Sequence, residues 1–142
     1  MDRVMRAIRR IHHCYGQYSK RLEERAGVTA PQLACLTVLS RNEAVPAGRL
    51  SDQISIDPST MTGILDRLEK HGLVVRRHDA DDRRVWNVRI TSAGRRLVDS
   101  TPPTMGRGLA AVLGKRPKSE RSQTLRALER IGQWMEEVNA RT

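Results

Sequence analysis

The sequence predicts a mainly α-helical fold with a small β-hairpin wing, and three observations carry the prediction. Apolar residues make up 38% of the 142-residue chain, with no Phe, two Trp and two Tyr. A core drawn from Leu, Ile, Val, Met and Ala favours packed helices over a sandwich or barrel. Apolar positions also recur at three- and four-residue steps through most of the chain, which is the helical period. Finally, residues 46 to 91 read as a short helix, a turn, a second helix and two alternating runs around a polar loop. That order is a winged helix-turn-helix, here with further helices before and after it.

Each element has its own signal. Residues 3 to 25 carry Val4, Ile8, Ile11, Tyr15, Tyr18 and Leu22 as one stripe, and Gly27 follows as a stop. Thr29 is placed to cap a second helix with Pro31 in its first turn, running to about Ser40. Its inward face holds Leu33, Leu36, Val38 and Leu39. A short third helix follows Pro46, with Leu50 and Ile54 turned inward. Asp57 caps a fourth, in which Met61, Ile64, Leu65 and Leu68 form an i, i+3, i+4, i+7 stripe, and Gly72 ends it.

Residues 73 to 77 and 85 to 90 read as strands, the second alternating Trp86, Val88 and Ile90 onto one face. The loop between them, 78 to 84, is too polar to bury. Thr91 opens a fifth helix to about residue 113, which Pro102 and Pro103 must kink or interrupt. Residues 114 to 118 link it to a last helix, 119 to 139, striped by Leu125, Leu128, Ile131, Met135 and Val138. The expected organisation is one domain, 1 to 142. Its winged core lies at about 29 to 91, with dimerisation helices at about 3 to 25, 92 to 113 and 119 to 139.

Charge narrows the partner. Twenty-six Lys and Arg against sixteen Asp and Glu give a formal charge of +10. Such an excess points to a polyanion, and arginines 49, 67, 76, 77, 83 and 84 gather around the helix-turn-helix. Few aromatics argue against single-strand binding, which needs stacking platforms. No apolar run approaches the roughly 18 residues of a membrane span, and the basic N-terminus lacks a signal-peptide core. A cytoplasmic location is expected, with Cys14 and Cys35 as reduced thiols. There is no phosphate-cradling glycine loop, no metal-ligand spacing and no nucleophile with a matching base, so no enzyme, cofactor or metal is expected.

Double-stranded DNA is the partner that fits. Ser59, Thr60 and Thr62 sit at the start of the fourth helix, on the face opposite the apolar stripe, where they could meet base edges or phosphates. The alternative is that Ser59 and Thr60 only help to begin the helix. Arg67 lies further along as a backbone contact, unless it pairs with Asp66 or Glu69. Arg49, Ser51 and Gln32 are further contact candidates. In the loop, Arg84 suits a narrow minor groove, Asp82 could pin its guanidinium through a bidentate pair, and Arg83 remains for a phosphate.

The stretch 57 to 72, the following Leu-Val-Val-Arg-Arg, the wing Asp82-Arg83-Arg84 and the junction Ile90-Thr91-Ser92-Ala93-Gly94 resemble the MarR family of bacterial transcriptional regulators. The resemblance runs from the first helix to the last. It implies a homodimeric winged-helix repressor, less often an activator, that commonly releases DNA on binding a small molecule. By position, Arg84 is its minor-groove arginine and Asp82 the supporting carboxylate, with Ser59, Thr60 and Thr62 on the recognition helix. Many members carry Arg where this chain has Gly63, so a bidentate guanine contact is lost there. The resemblance also implies a cleft for aromatic or phenolic effectors, near which His12, Tyr15, Tyr18 and Cys35 fall. Each is otherwise an ordinary packed or surface residue. Two readings remain open: a sequence-specific dimeric regulator on a pseudo-palindromic operator, and a winged-helix protein that binds DNA architecturally or without sequence preference.

Overall fold

The computed structural model describes residues 2–102 and 104–141, and the chain divides into two compact units, Met1–Thr104 and Met105–Thr142. The first unit begins with helix α1 (Asp2–Ala26), closed by Gly27 at φ +70°. Helix α2 (Ala30–Ser40) follows, its N-terminus tied to α1 where the Ala30 amide donates to Ser19 Oγ at 2.9 Å. Strand β1 (Val45–Pro46) leads into α3 (Ala47–Ile54), and α4 (Pro58–Lys70) completes the helix-turn-helix. Strands β2 (Val74–His78) and β3 (Trp86–Ile90) form the wing, and α5 (Ser92–Ser100) closes the unit.

The core is centred on α2, which packs against α1, α3, α4, α5 and β3. Leu33, Cys35, Leu36 and Leu39 of this helix are buried with Leu22, Leu50, Met61, Leu65, Leu68, Val74 and Val88. A helix surrounded on most sides needs apolar residues on most sides, and α2 has them.

The sheet has three strands, not the two expected. β3 lies at its centre in the order β1-β3-β2, both pairings antiparallel, with Val45 opposite Val88 and Val74 through His78 opposite Ile90 through Trp86. β1 is two residues long and includes a proline, which an edge strand tolerates because one side of it needs no ladder donor. A pattern rule that looks for four or more alternating residues passes over it. The expected interruption of the fifth helix is also found, since α5 ends at Ser100 and α6 begins at Met105. Pro103 itself lies outside the described residues.

The second unit consists of α6 (Met105–Gly114) and α7 (Lys118–Asn139), neither of which contains a buried residue. Leu109, Val112, Leu125, Leu128, Trp134 and Met135 are each roughly half exposed. On α1, Val4, Met5, Ile11 and Tyr15 are similarly exposed. On the single chain these apolar stripes face water.

Candidate nucleic-acid interface

Helix α4 turns Met61, Ile64, Leu65 and Leu68 into the core, which leaves Ser59, Thr60, Thr62, Gly63 and Arg67 exposed on its other side. Its start is held by Asp57, whose carboxylate accepts the Thr60 amide at 2.9 Å and the hydroxyls of Ser59 and Thr60. Those three donors hold the Asp57 carboxyl far below the usual range, the Ser59 hydroxyl contributing most. Ser59 and Thr60 therefore do begin the helix, as the alternative reading held. Each hydroxyl spends its single proton on Asp57 and keeps lone pairs free to accept a hydrogen bond from outside. Thr62 donates to the Pro58 carbonyl at 3.0 Å. A Cβ built on Gly63 meets nothing within 4 Å, so the gap there is open outer surface rather than a packing need.

The turn before α4 depends on Ser55, which adopts φ +54° in the left-handed region, while the Ile56 amide donates to the Ser51 carbonyl at 3.0 Å. Two of the weaker sequence candidates change role here. Ser51 is only 3% exposed, buried in α3. Gln32 is 5% exposed, and its Oε1 accepts the Thr29 amide at 2.8 Å, so it caps α2 from within. Neither side chain is available to a duplex. Arg49, on the exposed side of α3, remains so, as does Arg67, which makes no ion pair among the described residues because Asp66 and Glu69 both turn to Arg76.

The wing is organised by a residue that sequence reasoning passed over. Asp79 accepts the amides of Asp81 and Asp82 and the Asn87 side-chain amide, at 3.0, 3.2 and 2.7 Å. These bonds hold its carboxyl below the ordinary carboxylate range, with the Asp81 amide first among the causes. An aspartate two residues before a turn amide is the Asx signal that could have found it. Asp82 in turn holds Arg84. Its Oδ1 accepts Nε at 3.1 Å and the Arg84 backbone amide at 3.0 Å, and its Oδ2 accepts Nη2 at 3.3 Å. The Asp82 carboxyl is lowered mainly by that guanidinium. The Arg84 side chain is 92% exposed even so, which leaves one charged edge directed at solvent from a braced position. Because both carboxyls titrate below their free values, the wing's bracing is complete at neutral pH and is lost as pH falls through the lowered values.

At the base of the wing, Thr91 bonds in two directions. Its hydroxyl donates to the Gly72 carbonyl at 2.7 Å and accepts the Gly94 amide at 3.1 Å, so it joins the end of α4 to the start of α5.

The residues proposed for a small-molecule cleft scatter. A cavity of about 350 Å³ lies between α1 and α5, lined by Tyr18, Arg21, Arg25, Leu97 and Thr101 among others. Tyr18 reaches it, and its hydroxyl is buried with no hydrogen-bond partner among the described residues. Tyr15 packs beside Tyr18 with ring centroids 6.4 Å apart but does not line the cavity, and His12 is exposed on α1. Cys35 is fully buried in the core and does not line this cavity. Arg21 and Arg25 were legible as helical neighbours of Tyr18; the α5 side of the cavity was not.

Burial pushes the Cys35 thiol up to about 12, whereas Cys14 is exposed. Iodoacetamide is expected to modify Cys14 in the native protein and Cys35 only after denaturation. Mass spectrometry showing both alkylated without denaturant would contradict the burial. Among the described residues no group of three His, Cys, Asp or Glu side chains could hold a metal ion, and no helix is long and apolar enough to cross a membrane.

Residues 28–86, the span from the end of α1 to the wing, match the model of the MarR family. Over that span, less than half of its length, the chain is similar to the MarR family. It is 34% identical over 71 residues to the HTH-type transcriptional repressor MdtR of Bacillus subtilis (strain 168). That match spans half of this chain and 46% of the repressor, less than two thirds of its length. Two solved MarR-like folds align over nearly the whole chain. A MepR-like protein complexed with pseudoligands is 27% identical, covers 92% of both chains and has a TM-score of 0.72. BpsR of Bordetella bronchiseptica, whose DNA binding is regulated by 6-hydroxynicotinic acid, is 25% identical with a TM-score of 0.71, covering 92% of this chain and 98% of its own. Such scores fit the winged-helix architecture described above.

Proposed function

We propose that this chain is a MarR-family transcriptional repressor, sequence-specific for double-stranded DNA, that acts as a homodimer on a pseudo-palindromic operator. The observation that carries the reading is the braced wing arginine. The Arg84 side chain is almost wholly exposed, yet two hydrogen bonds from its guanidinium and one from its backbone amide tie the residue to Asp82. A solvated surface arginine has no need of that brace, whereas a side chain that must enter a narrow minor groove gains from being ordered beforehand. Helix α4 supports the reading with small polar side chains at its N-terminal end, suited to the major groove. The exposed apolar faces of α1, α6 and α7 support the dimer, which would space two reading helices about one DNA turn apart.

Arg84→Ala is expected to weaken operator binding by about 1–3 kcal/mol while the dimer persists. Fluorescence anisotropy at one fixed salt concentration measures the first, and sizing the second. An unchanged affinity would take the wing out of the interface. Operator DNA should also outcompete scrambled duplex by about a thousandfold or more. Equal binding to both would favour the architectural reading.

The same proposal includes a small aromatic or phenolic effector. The cavity beside Tyr18 has a size that suits one, and Arg21 and Arg25 add positive charge to an otherwise largely apolar wall. An effector taken up there would act by favouring a form of the dimer with its reading helices wrongly spaced for DNA.

A further inference from the structure

We propose that Arg76 is a positioning residue: it spans from the wing to helix α4 and sets the spacing at which both reach one duplex, without touching DNA itself. This rests on the DNA-binding reading above. Arg76 lies in β2, and its guanidinium is held by two carboxylates of α4. Nη2 sits 2.6 Å from Glu69 Oε2 and 2.7 Å from Asp66 Oδ1, and Nε donates to Glu69 Oε2 at 2.9 Å. The Arg76 backbone amide donates to Glu69 Oε1 at 3.1 Å, so Glu69 grips both the side chain and the strand that carries it.

An aromatic ring, Trp86, also borders the guanidinium. Arg76 Cζ lies 5.9 Å from the centre of the Trp86 ring, and Trp86 stacks on His78 with centroids 3.7 Å apart. The Arg76 side chain is 23% exposed, against 92% for Arg84. A groove of about 210 Å³ opens beside this bridge, with Met61, Thr62 and Leu65 of α4 on one side and Trp86 on the other. The ion pairs thus join helix and wing at a place where the two surfaces diverge.

A lone surface ion pair is worth little, but one planar guanidinium shared among two carboxylates and an aromatic face is a fixed joint. Its consequence follows from DNA geometry. The reading end of α4 and the tip of the wing must enter neighbouring grooves whose separation the duplex dictates. A wing free to swing loses orientation before binding and must recover it on contact. Arg84 therefore contributes in full only while Arg76 holds the wing.

The test measures affinity for one duplex at fixed salt with the full chain, comparing Arg84→Ala, Arg76→Ala, Glu69→Ala and the double variant Arg76→Ala/Arg84→Ala. Circular dichroism and thermal melting check that each is folded. Glu69→Ala is expected to weaken binding roughly tenfold, although it removes a negative charge from a DNA-facing helix and by charge alone would tighten it. The double variant is expected to bind within about twofold of the weaker single variant, because the two losses are one loss. Fully additive losses, or Glu69→Ala binding as tightly as wild type or tighter, overturn the proposal. Should an alanine variant not fold, Arg76→Lys replaces it: an ammonium keeps the charge but lacks the planar fork and the Nε–H that bonds Glu69, so a partial loss is expected and wild-type affinity overturns the role. A wild-type chain that binds no duplex removes the DNA-binding reading and this role with it. A wild type that binds, with variants that match it, removes the positioning role alone.

Discussion

Gly94→Ala is expected to destabilise the first unit by about 2–4 kcal/mol, a large share of the roughly 5–15 kcal/mol by which a domain is usually stable. A Cβ at this position would stand 2.3 Å from the Leu73 carbonyl oxygen and 2.7 Å from Ile90 Cγ1. The first neighbour is backbone, and the strand that carries it has nowhere to retreat. Leu73 accepts the Thr91 amide at 3.0 Å, donates its own amide to the Leu68 carbonyl at 2.9 Å, and leads directly into β2. Relief would have to come from lifting α5 away from the wing, which breaks the Thr91 bonds to Gly72 and Gly94. Backbone conformation is not the issue, since Gly94 lies within a helix whose dihedrals any residue adopts. Thermal or urea denaturation followed by circular dichroism measures the loss. Gly63→Ala is the control, because its Cβ meets nothing and alanine is the better helix former. A Gly94→Ala protein as stable as that control would mean α5 does not sit as described.

Removing residues 119 to 142 is expected to abolish the proposed dimer and leave monomer or aggregate. Helix α7 contains no buried residue, and Leu125, Leu128, Trp134 and Met135 are each roughly half exposed. Each large apolar side chain taken fully out of water contributes about 1.5–3 kcal/mol, so a partner covering this face would supply much of the association energy. The truncation deletes that face and leaves the apolar stripes of α1 and α6 without it, hence the expectation of aggregation as the competing outcome. Light scattering on the sized protein distinguishes the products. A truncated chain that elutes as a soluble, well-defined dimer would place the association surface elsewhere, on α1 or on the winged unit itself.

Most of the fold was readable because its signals are local. Gly27 and Gly72 do end α1 and α4 with positive φ, Asp57 and Thr91 do cap the helices they precede, and the α4 stripe is buried as its spacing implies. The readings that changed share a different physical character. β1 exists only because Val45 finds Val88 far along the chain, and two residues cannot announce a partner. The left-handed residue in the helix-turn-helix is Ser55, where a glycine would have been the visible sign. Ser51 and Gln32 look like polar surface in sequence and are buried because neighbouring elements close over them.

The interface divides along the same line. Residue types and their i, i+2 and i, i+3 spacing determined the Asp82–Arg84 brace, the polar outer face of α4 and the glycine-lined stops, because each involves neighbours in sequence whose geometry the backbone sets. Tertiary structure alone decided that Arg76 pairs with Asp66 and Glu69 of α4, that Asn87 closes the wing onto Asp79, and that Gly94 must lack a side chain. Those outcomes depend on how far apart two separately formed elements come to rest. A distance of that kind follows from packing the whole core at once, which no local pattern encodes.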